Sequence, residues 1–280
     1  MSALHSIDFL YTISGFAVGL LVGMTGVGGG SLMTPILILL FGVHPAVAVG
    51  SDLLHAATTK TAGSLVHGFN RTIDWRVVRR LAAGSVPMTV VTIAALSFLD
   101  INGGAARQLI GAALSFALFL TAATLVFRKA MIARYAAYIA DLPDNRIAIL
   151  TTLVGGALGV LVSISSVGAG AIGVTALILL YPKLPTPRIV GSDIAHAVPL
   201  TLVAGVGHWF LGSIDWHIYA ALILGSVPGI LLGSYAAIRV PETALRIILA
   251  VTLVVVATRL SFDLLGEPTS VVATRIMAPR

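Results

Sequence analysis

The sequence predicts an all-α polytopic membrane fold, with about eight transmembrane segments in two homologous repeats and the first segment of each repeat broken by a glycine-rich stretch. Three observations carry this reading. Apolar residues make up 58% of the chain and charged residues only 10%, with a mean hydropathy of +1.02, which exceeds what a soluble domain of this length carries. Residues 77–99, 107–127, 216–238 and 244–265 each reach the ~20 mostly apolar residues that cross ~30 Å of hydrocarbon. The chain also aligns with itself: residues 15–42 match 155–182 without gaps and, after a single insertion, residues 50–87 match 191–228.

The anchors of the self-match are Gly50-Ser51-Asp52 with Gly191-Ser192-Asp193, His55 with His196, His67 with His208, Ile73-Asp74-Trp75 with Ile214-Asp215-Trp216, and Gly84-Ser85-Val86-Pro87 with Gly225-Ser226-Val227-Pro228. Each repeat then reads as a glycine-interrupted first segment (9–41; 147–181), a second (46–67; 188–208), a third (77–99; 216–238) and a fourth (107–127; 244–265). The expected organisation is a membrane repeat over 9–127, a cytoplasmic linker over 128–146, a second membrane repeat over 147–265 and a tail over 266–280. The first nine residues lack Lys and Arg and precede a helix of spanning length, so they read as the uncleaved start of that helix.

Orientation follows from basic residues. The loop 70–80 and the linker 128–146 are rich in Arg and Lys, so both belong on the cytoplasmic side. Eight simple crossings would then leave both termini cytoplasmic. The counterpart of the first loop, residues 212–217, has no Arg or Lys. Inverted repeats would produce that contrast, provided each broken segment is a re-entrant hairpin. The sequence leaves both arrangements open.

Several classes of chemistry are excluded. The chain has no cysteine, hence no disulfide, thiolate metal site or cysteine nucleophile. The formal charge of +6 falls in short loops rather than in a basic stripe, which reads as membrane topology and not as nucleic-acid binding. Signatures of zinc peptidases, serine hydrolases and phosphate-binding loops are missing, so no catalytic residue, metal ligand or cofactor is expected.

The first break runs Gly26-Val27-Gly28-Gly29-Gly30-Ser31, and its partner runs Ser166-Val167-Gly168-Ala169-Gly170. Each glycine costs a helix interior roughly 1 kcal/mol relative to Ala, and non-helical backbone at membrane depth is tolerated where it is buried or lines a watery cavity. A break exposes the N–H groups and the positive dipole end of the half-helix that follows, which suits an anion. The plainer alternative is close helix packing, the reading preferred for the upstream stripe Gly15, Gly19 and Gly23.

Buried polarity concentrates in the second segments. On a helical wheel Asp52, His55, Thr59, Gly63 and His67 occupy one wedge of about 120°, with Lys60 at its edge. The other copy keeps Asp193, His196 and His208, while Leu200 and Thr201 replace Thr59 and Lys60. Capping or internal hydrogen bonding accounts for some of these residues, but a lysine this far into a membrane segment points to an anion or a carboxylate. Asp74-Trp75 and Asp215-Trp216 read as N-caps beside interfacial tryptophans.

The glycine cluster 26–30 with Pro35 beyond it, the Gly-Ser-Asp start of the next segment and the duplicated plan resemble the TauE/SafE family, also called the toluene-sulfonate uptake permease family, over residues 9–265. The resemblance implies a transporter of sulfur-containing anions such as sulfite, sulfoacetate and other organosulfonates, often an exporter. This sequence departs from the pattern at Ser166 and Ala169, which stand where the first copy has glycines. The expected site therefore comprises Gly28, Gly29, Gly30, Ser31, Asp52, His55, Thr59 and Lys60 with Ser166, Gly168, Ala169, Gly170, Asp193 and His196. Expected partners are a small anionic substrate and the lipid bilayer of a bacterial inner membrane, without nucleic acid, and a homo-oligomer is compatible with the sequence. The rival readings are uptake of the same anions, a cation or metal transporter using the Asp and His residues, and a non-transporting membrane scaffold.

Overall fold

The computed structural model describes residues 2–25, 30–101, 103–236 and 242–266. Among these the chain is all helical. Its ten helices are α1 (Ser2–Thr25), α2 (Gly30–Leu39), α3 (Pro45–Phe69), α4 (Trp75–Leu96), α5 (Gly104–Ala140), α6 (Asp144–Ser165), α7 (Ala171–Leu180), α8 (Thr186–Phe210), α9 (Trp216–Ala236) and α10 (Glu242–Gly266). Five of them contain stretches long and apolar enough to cross a membrane: Trp75–Leu96, Gly104–Tyr135, Asp144–Ser165, Thr186–Phe210 and Trp216–Gly233.

The distribution of polarity is the reverse of a soluble protein's. Phe98 is 89% exposed, and Phe69, Phe210 and Leu224 also face outward, whereas Asp52, His55, Asp193, His196 and His208 are buried. An apolar exterior around buried ionisable groups is what hydrocarbon as solvent selects.

Helix ends follow local chemistry. Pro45 sits at the start of α3, where its missing N–H costs nothing. Asp74 caps α4 by accepting from the Arg76 and Val77 amides, and Asp215 does the same for His217 and Ile218. α5 carries the fourth segment straight on to Ala140, so most of the stretch expected as a linker is helix. At ~1.5 Å per residue, α5 outruns the ~30 Å hydrocarbon core.

Glycines set the packing of two helix pairs, α1 with α9 and α4 with α6. Gly15 and Gly19 of α1 lie against the Leu222 and Ser226 backbone, and Gly225, Gly229 and Gly233 of α9 lie against Thr12, Phe16 and Leu20. Gly155 and Gly159 of α6 likewise meet Leu81 and Ser85, and Gly84 meets Thr152. A Cβ at any of these positions would press into a carbonyl oxygen, so the backbones touch as small-residue interfaces allow. In both pairs the numbers rise together, so the helices run parallel.

The second segments cross the other way. Gly50 meets His208, Gly205 meets Leu54, Gly63 meets Ile194, and Gly191 meets His67, so α3 and α8 are antiparallel. α4 runs with α8, as Asp74 bonds Ser192, Ser85 bonds His196 and Gly207 touches Ile93. α4, α6 and α8 therefore share one direction. Since α6 and α8 are parallel, the chain between them must double back, and α7 is that return: the Tyr181 hydroxyl just past its end bonds Thr151 near the start of α6 at 2.9 Å. α6 and α7 form a hairpin whose turn is 166–170. In the other half Tyr11 of α1 stacks on Phe41 just past α2, ring centroids 4.4 Å apart.

If these contacts hold the bundle, Gly84→Ala and Gly225→Ala should each destabilise it by about 1–3 kcal/mol through overpacking. Gly104→Ala, which meets nothing within 4 Å, should leave the melting temperature unchanged. Thermal unfolding in detergent that ranks all three variants alike would show that the backbones do not meet there.

Candidate functional site

The turn of the α6–α7 hairpin ends inside the bundle. Ser165, Ser166, Val167 and Ala169 are all buried. The backbone leaves helical geometry at Ser166 (φ 58°), Gly168 (φ 126°) and Gly170 (φ 131°), values that two glycines adopt without penalty. No side chain caps the N-terminus of α7 at Gly170. The matching stretch of the first half holds Gly28 and Gly29, which lie outside the described residues. Gly30 opens α2, and Ser31 is buried in its first turn.

α3 brings Asp52 to this turn. Its Oδ2 accepts hydrogen bonds from Thr34 Oγ1 of α2 at 2.6 Å and from Ser166 Oγ at 2.9 Å. All three residues are buried. One helical turn on, His55 Nδ1 lies 3.5 Å from Asp52 Oδ1, and His55 Nε2 hydrogen-bonds Ser226 Oγ of α9 at 2.8 Å. Ser166 thus occupies a left-handed position where glycine is easier, and its hydroxyl gives Asp52 a donor that glycine lacks.

α8 repeats half of this arrangement. His196 Nε2 hydrogen-bonds Ser85 Oγ of α4 at 2.8 Å, matching His55 and Ser226. Asp193 is 2% exposed and lies against the first turn of α7, so close to Gly173 that a Cβ there would overlap Asp193 Oδ1. The hydroxyls have no counterpart, because Val174 stands where the first copy has Thr34, and Gly26 stands where the second has Ser166. Among the described residues, Oδ1 of both Asp52 and Asp193 and Nδ1 of both His55 and His196 lack a hydrogen-bond partner.

Lys60 joins the halves. From α3 its Nζ donates to the Ala169 carbonyl at 3.3 Å, and its charge acts on Asp193, Asp52 and His196. Thr59 bonds back to the His55 and Ala56 carbonyls of its own helix. His67 and His208 stand apart: they bond Thr72 and Ser213 in the loops that follow their helices. His208 is fully buried. The structure therefore gathers Asp52, His55, Lys60, Ser166, Ala169, Asp193 and His196 around one turn. Sequence reasoning passed over Thr34, Ser85, Ser226 and Gly173. Ser85 and Ser226 were legible as serines repeated in the same Gly-Ser-Val-Pro context, but their role as histidine partners depends on which helices pack together.

Charges elsewhere lie at helix ends. Arg80 pairs with Asp144 through Nη1 and Oδ1 at 3.0 Å, and Arg188 pairs with Asp74 at 3.3 Å. A cavity of about 530 Å³ opens at the α2–α3 turn, lined by His44, Arg107, Gln108 and Asp263 among others. Burial, aided by the Arg107 cation, lowers the pKa of His44 below its ordinary value. Among the described residues, no three His, Asp or Glu side chains converge to hold a metal ion.

Removing one hydroxyl from Asp52, by Thr34→Val or Ser166→Ala, should destabilise the protein by about 1–3 kcal/mol, the cost of an under-satisfied buried charge. Thermal unfolding tests this. Wild-type stability in both variants would mean that the carboxylate has another partner.

The chain is similar to a family of known proteins. The family model described as sulfite exporter TauE/SafE matches residues 11–260. The probable membrane transporter protein YjnA of Bacillus subtilis (strain 168) is 36% identical over 241 residues, covering 85% of this chain and 93% of the relative. A probable membrane transporter protein of Xylella fastidiosa (strain 9a5c) is 26% identical over 81% of this chain and 83% of its own. The probable membrane transporter protein MJ0441 of Methanocaldococcus jannaschii is 26% identical over 75% of each. No solved structure matches the chain. With a family match spanning nearly all its helices and relatives named as membrane transporters, the chain is an integral membrane protein that belongs to the TauE/SafE family.

Proposed function

We propose that this protein is a secondary transporter, working as an exporter, for a small sulfur-containing anion such as sulfite or an organosulfonate like sulfoacetate, in the bacterial inner membrane. The observation that carries the reading is the α6–α7 turn: an uncapped helix N-terminus deep among packed helices, with Lys60 donating to its Ala169 carbonyl. Backbone N–H groups at such a helix end favour an anion, and a lysine ammonium at depth attracts one strongly where water is scarce.

The proposed architecture is a pair of inverted repeats, α1–α5 and α6–α10, each with a re-entrant hairpin and three full crossings. Supporting it, matched contacts recur in pairs: His55 to Ser226 and His196 to Ser85, Asp215 N to Ser51 and Asp74 N to Ser192. The antiparallel α3 and α8 are what a two-fold axis in the membrane plane requires. Such an axis lets one side of the site open as the other closes. On this plan Arg71, Arg76, Arg79, Arg80, Lys183 and Arg188 share one side with the end of α5, which is the cytoplasmic side by the positive-inside rule. Both termini and the His44 cavity then lie outside, in place of the cytoplasmic termini expected from eight simple crossings.

Two experiments test these points. Purified protein in liposomes should carry radiolabelled sulfite, with Lys60→Met lowering flux at least about tenfold, ~1.4 kcal/mol, at unchanged abundance; undiminished flux would remove Lys60 from the site. Because the chain has no cysteine, an introduced one is its only thiol. Phe98→Cys should react with an impermeant maleimide in intact cells and Asn70→Cys only after lysis. Labelling of both from one side would refute the inverted plan.

A further inference from the structure

Asp52 and Asp193 occupy equivalent positions but differ in what answers their charge. Asp52 receives two hydroxyl hydrogens, from Thr34 and Ser166. Asp193 is as deeply buried. Among the described residues Oδ1 of both aspartates and Nδ1 of both His55 and His196 lack a hydrogen-bond partner, so the two sites differ at Oδ2, where Asp52 alone receives hydroxyl donors. The contact of Asp193 is the first turn of α7, where Gly173 leaves room for the carboxylate alone. A side-chain anion therefore already stands at the helix end that suits a substrate anion. Two negative charges at one helix terminus repel in proportion to how dry the site is.

The charged groups around Asp193 are few. From α3 come Lys60, whose charge acts on Asp193 and Asp52, His55 beside Asp52, and His67 against Gly191. On α8 itself are His196, nearer the helix start Arg188, which is paired with Asp74, and at the far end His208, which bonds Ser213. α7 has no ionisable residue. Those of α4 and α6 lie in their opening turns, where Arg80 holds Asp144. One ammonium thus faces two carboxylates before any substrate arrives. An arriving anion leaves the site with surplus negative charge unless a proton comes too.

We propose that Asp193 is the residue that couples proton movement to anion movement: its carboxylate takes up a proton when an anion occupies the N-terminus of α7 and releases it when the anion leaves. The assignment rests on the anion-transport reading above. The proton neutralises the charge that competes with the anion at the α7 N-terminus, and gives Asp193 the hydrogen that Asp52 receives from its two hydroxyls. By linkage, whatever favours the anion in the site favours the proton on Asp193, and the reverse. Anion and proton therefore cross in the same direction, and the gradients set which direction that is.

The test uses the full-length protein in liposomes enclosing a pH-sensitive dye. Sulfoacetate and thiosulfate are the probes, because their charge is constant near neutral pH, whereas sulfite would carry protons by itself. In wild type, an inward proton gradient should drive accumulation of the probe, and probe entry should acidify the lumen. Asp193→Asn should lose acid-driven accumulation and dye acidification, falling to the level of protein-free liposomes, yet still exchange labelled for unlabelled probe across the membrane. That exchange also reports a folded variant. Wild-type flux without proton entry, or acid-driven accumulation that persists in Asp193→Asn, would overturn the coupling role while leaving transport intact. Loss of exchange together with accumulation in Asp193→Asn would make the residue part of the binding site instead and equally overturn it. A wild type that moves neither probe nor sulfite would instead overturn the transport reading on which the proposal stands.

Discussion

A carboxylate or backbone N–H inside hydrocarbon has no water to turn to, and leaving it unpaired costs several kcal/mol. The centre of this molecule is organised by that constraint. The hairpin turn leaves helical geometry where protein surrounds it: Ser166 meets Asp52, Ala169 meets Lys60, and Gly168 lies against Leu158, Leu161 and Val162. Ser85 of α4 and Ser226 of α9 then stand where a histidine nitrogen needs a partner. The polar centre depends on the close approach of the outer helix pairs, and those pairs depend on residues with no side chain.

The two halves are alike in frame and unlike in finish. Histidine, serine and glycine contacts recur from one half to the other, whereas Thr34, Lys60 and Ser166 have no equivalents. A symmetric frame with an asymmetric centre distributes the work: one aspartate is fixed by hydroxyls, and the other is left facing a helix end. Lys60, on a single copy of the helix, brings its positive charge to the α6–α7 turn.

Much of the fold was legible in the sequence because hydropathy and self-similarity are one-dimensional signals. Four long apolar stretches, the aspartate caps before Trp75 and Trp216, and the glycine rows at four-residue spacing all follow from local chemistry. Direction was not legible. Whether a segment broken by glycines crosses or doubles back depends on where its second half packs, and nothing near Gly168 encodes the bond between Tyr181 and Thr151. Within the site, Asp52, His55 and Lys60 stood out because charge at membrane depth is rare. Thr34 did not, since a threonine in an apolar helix is unremarkable until a carboxylate from another helix is found 2.6 Å away. The continuation of α5 to Ala140 was hidden for the opposite reason, because its polar end looks like a loop.

The pairing of α1 with α9 has a consequence for how the molecule is made. As the chain leaves the ribosome, α1 with Gly15 and Gly19 emerges first, but the backbone these glycines pack against does not exist until residues 216–236 have followed. α6, by contrast, finds α4 already made. α1 must therefore wait through the synthesis of most of the protein before it finds its partner. Any substitution that leaves the finished bundle intact but makes that wait less tolerable would show itself as lost yield rather than lost activity.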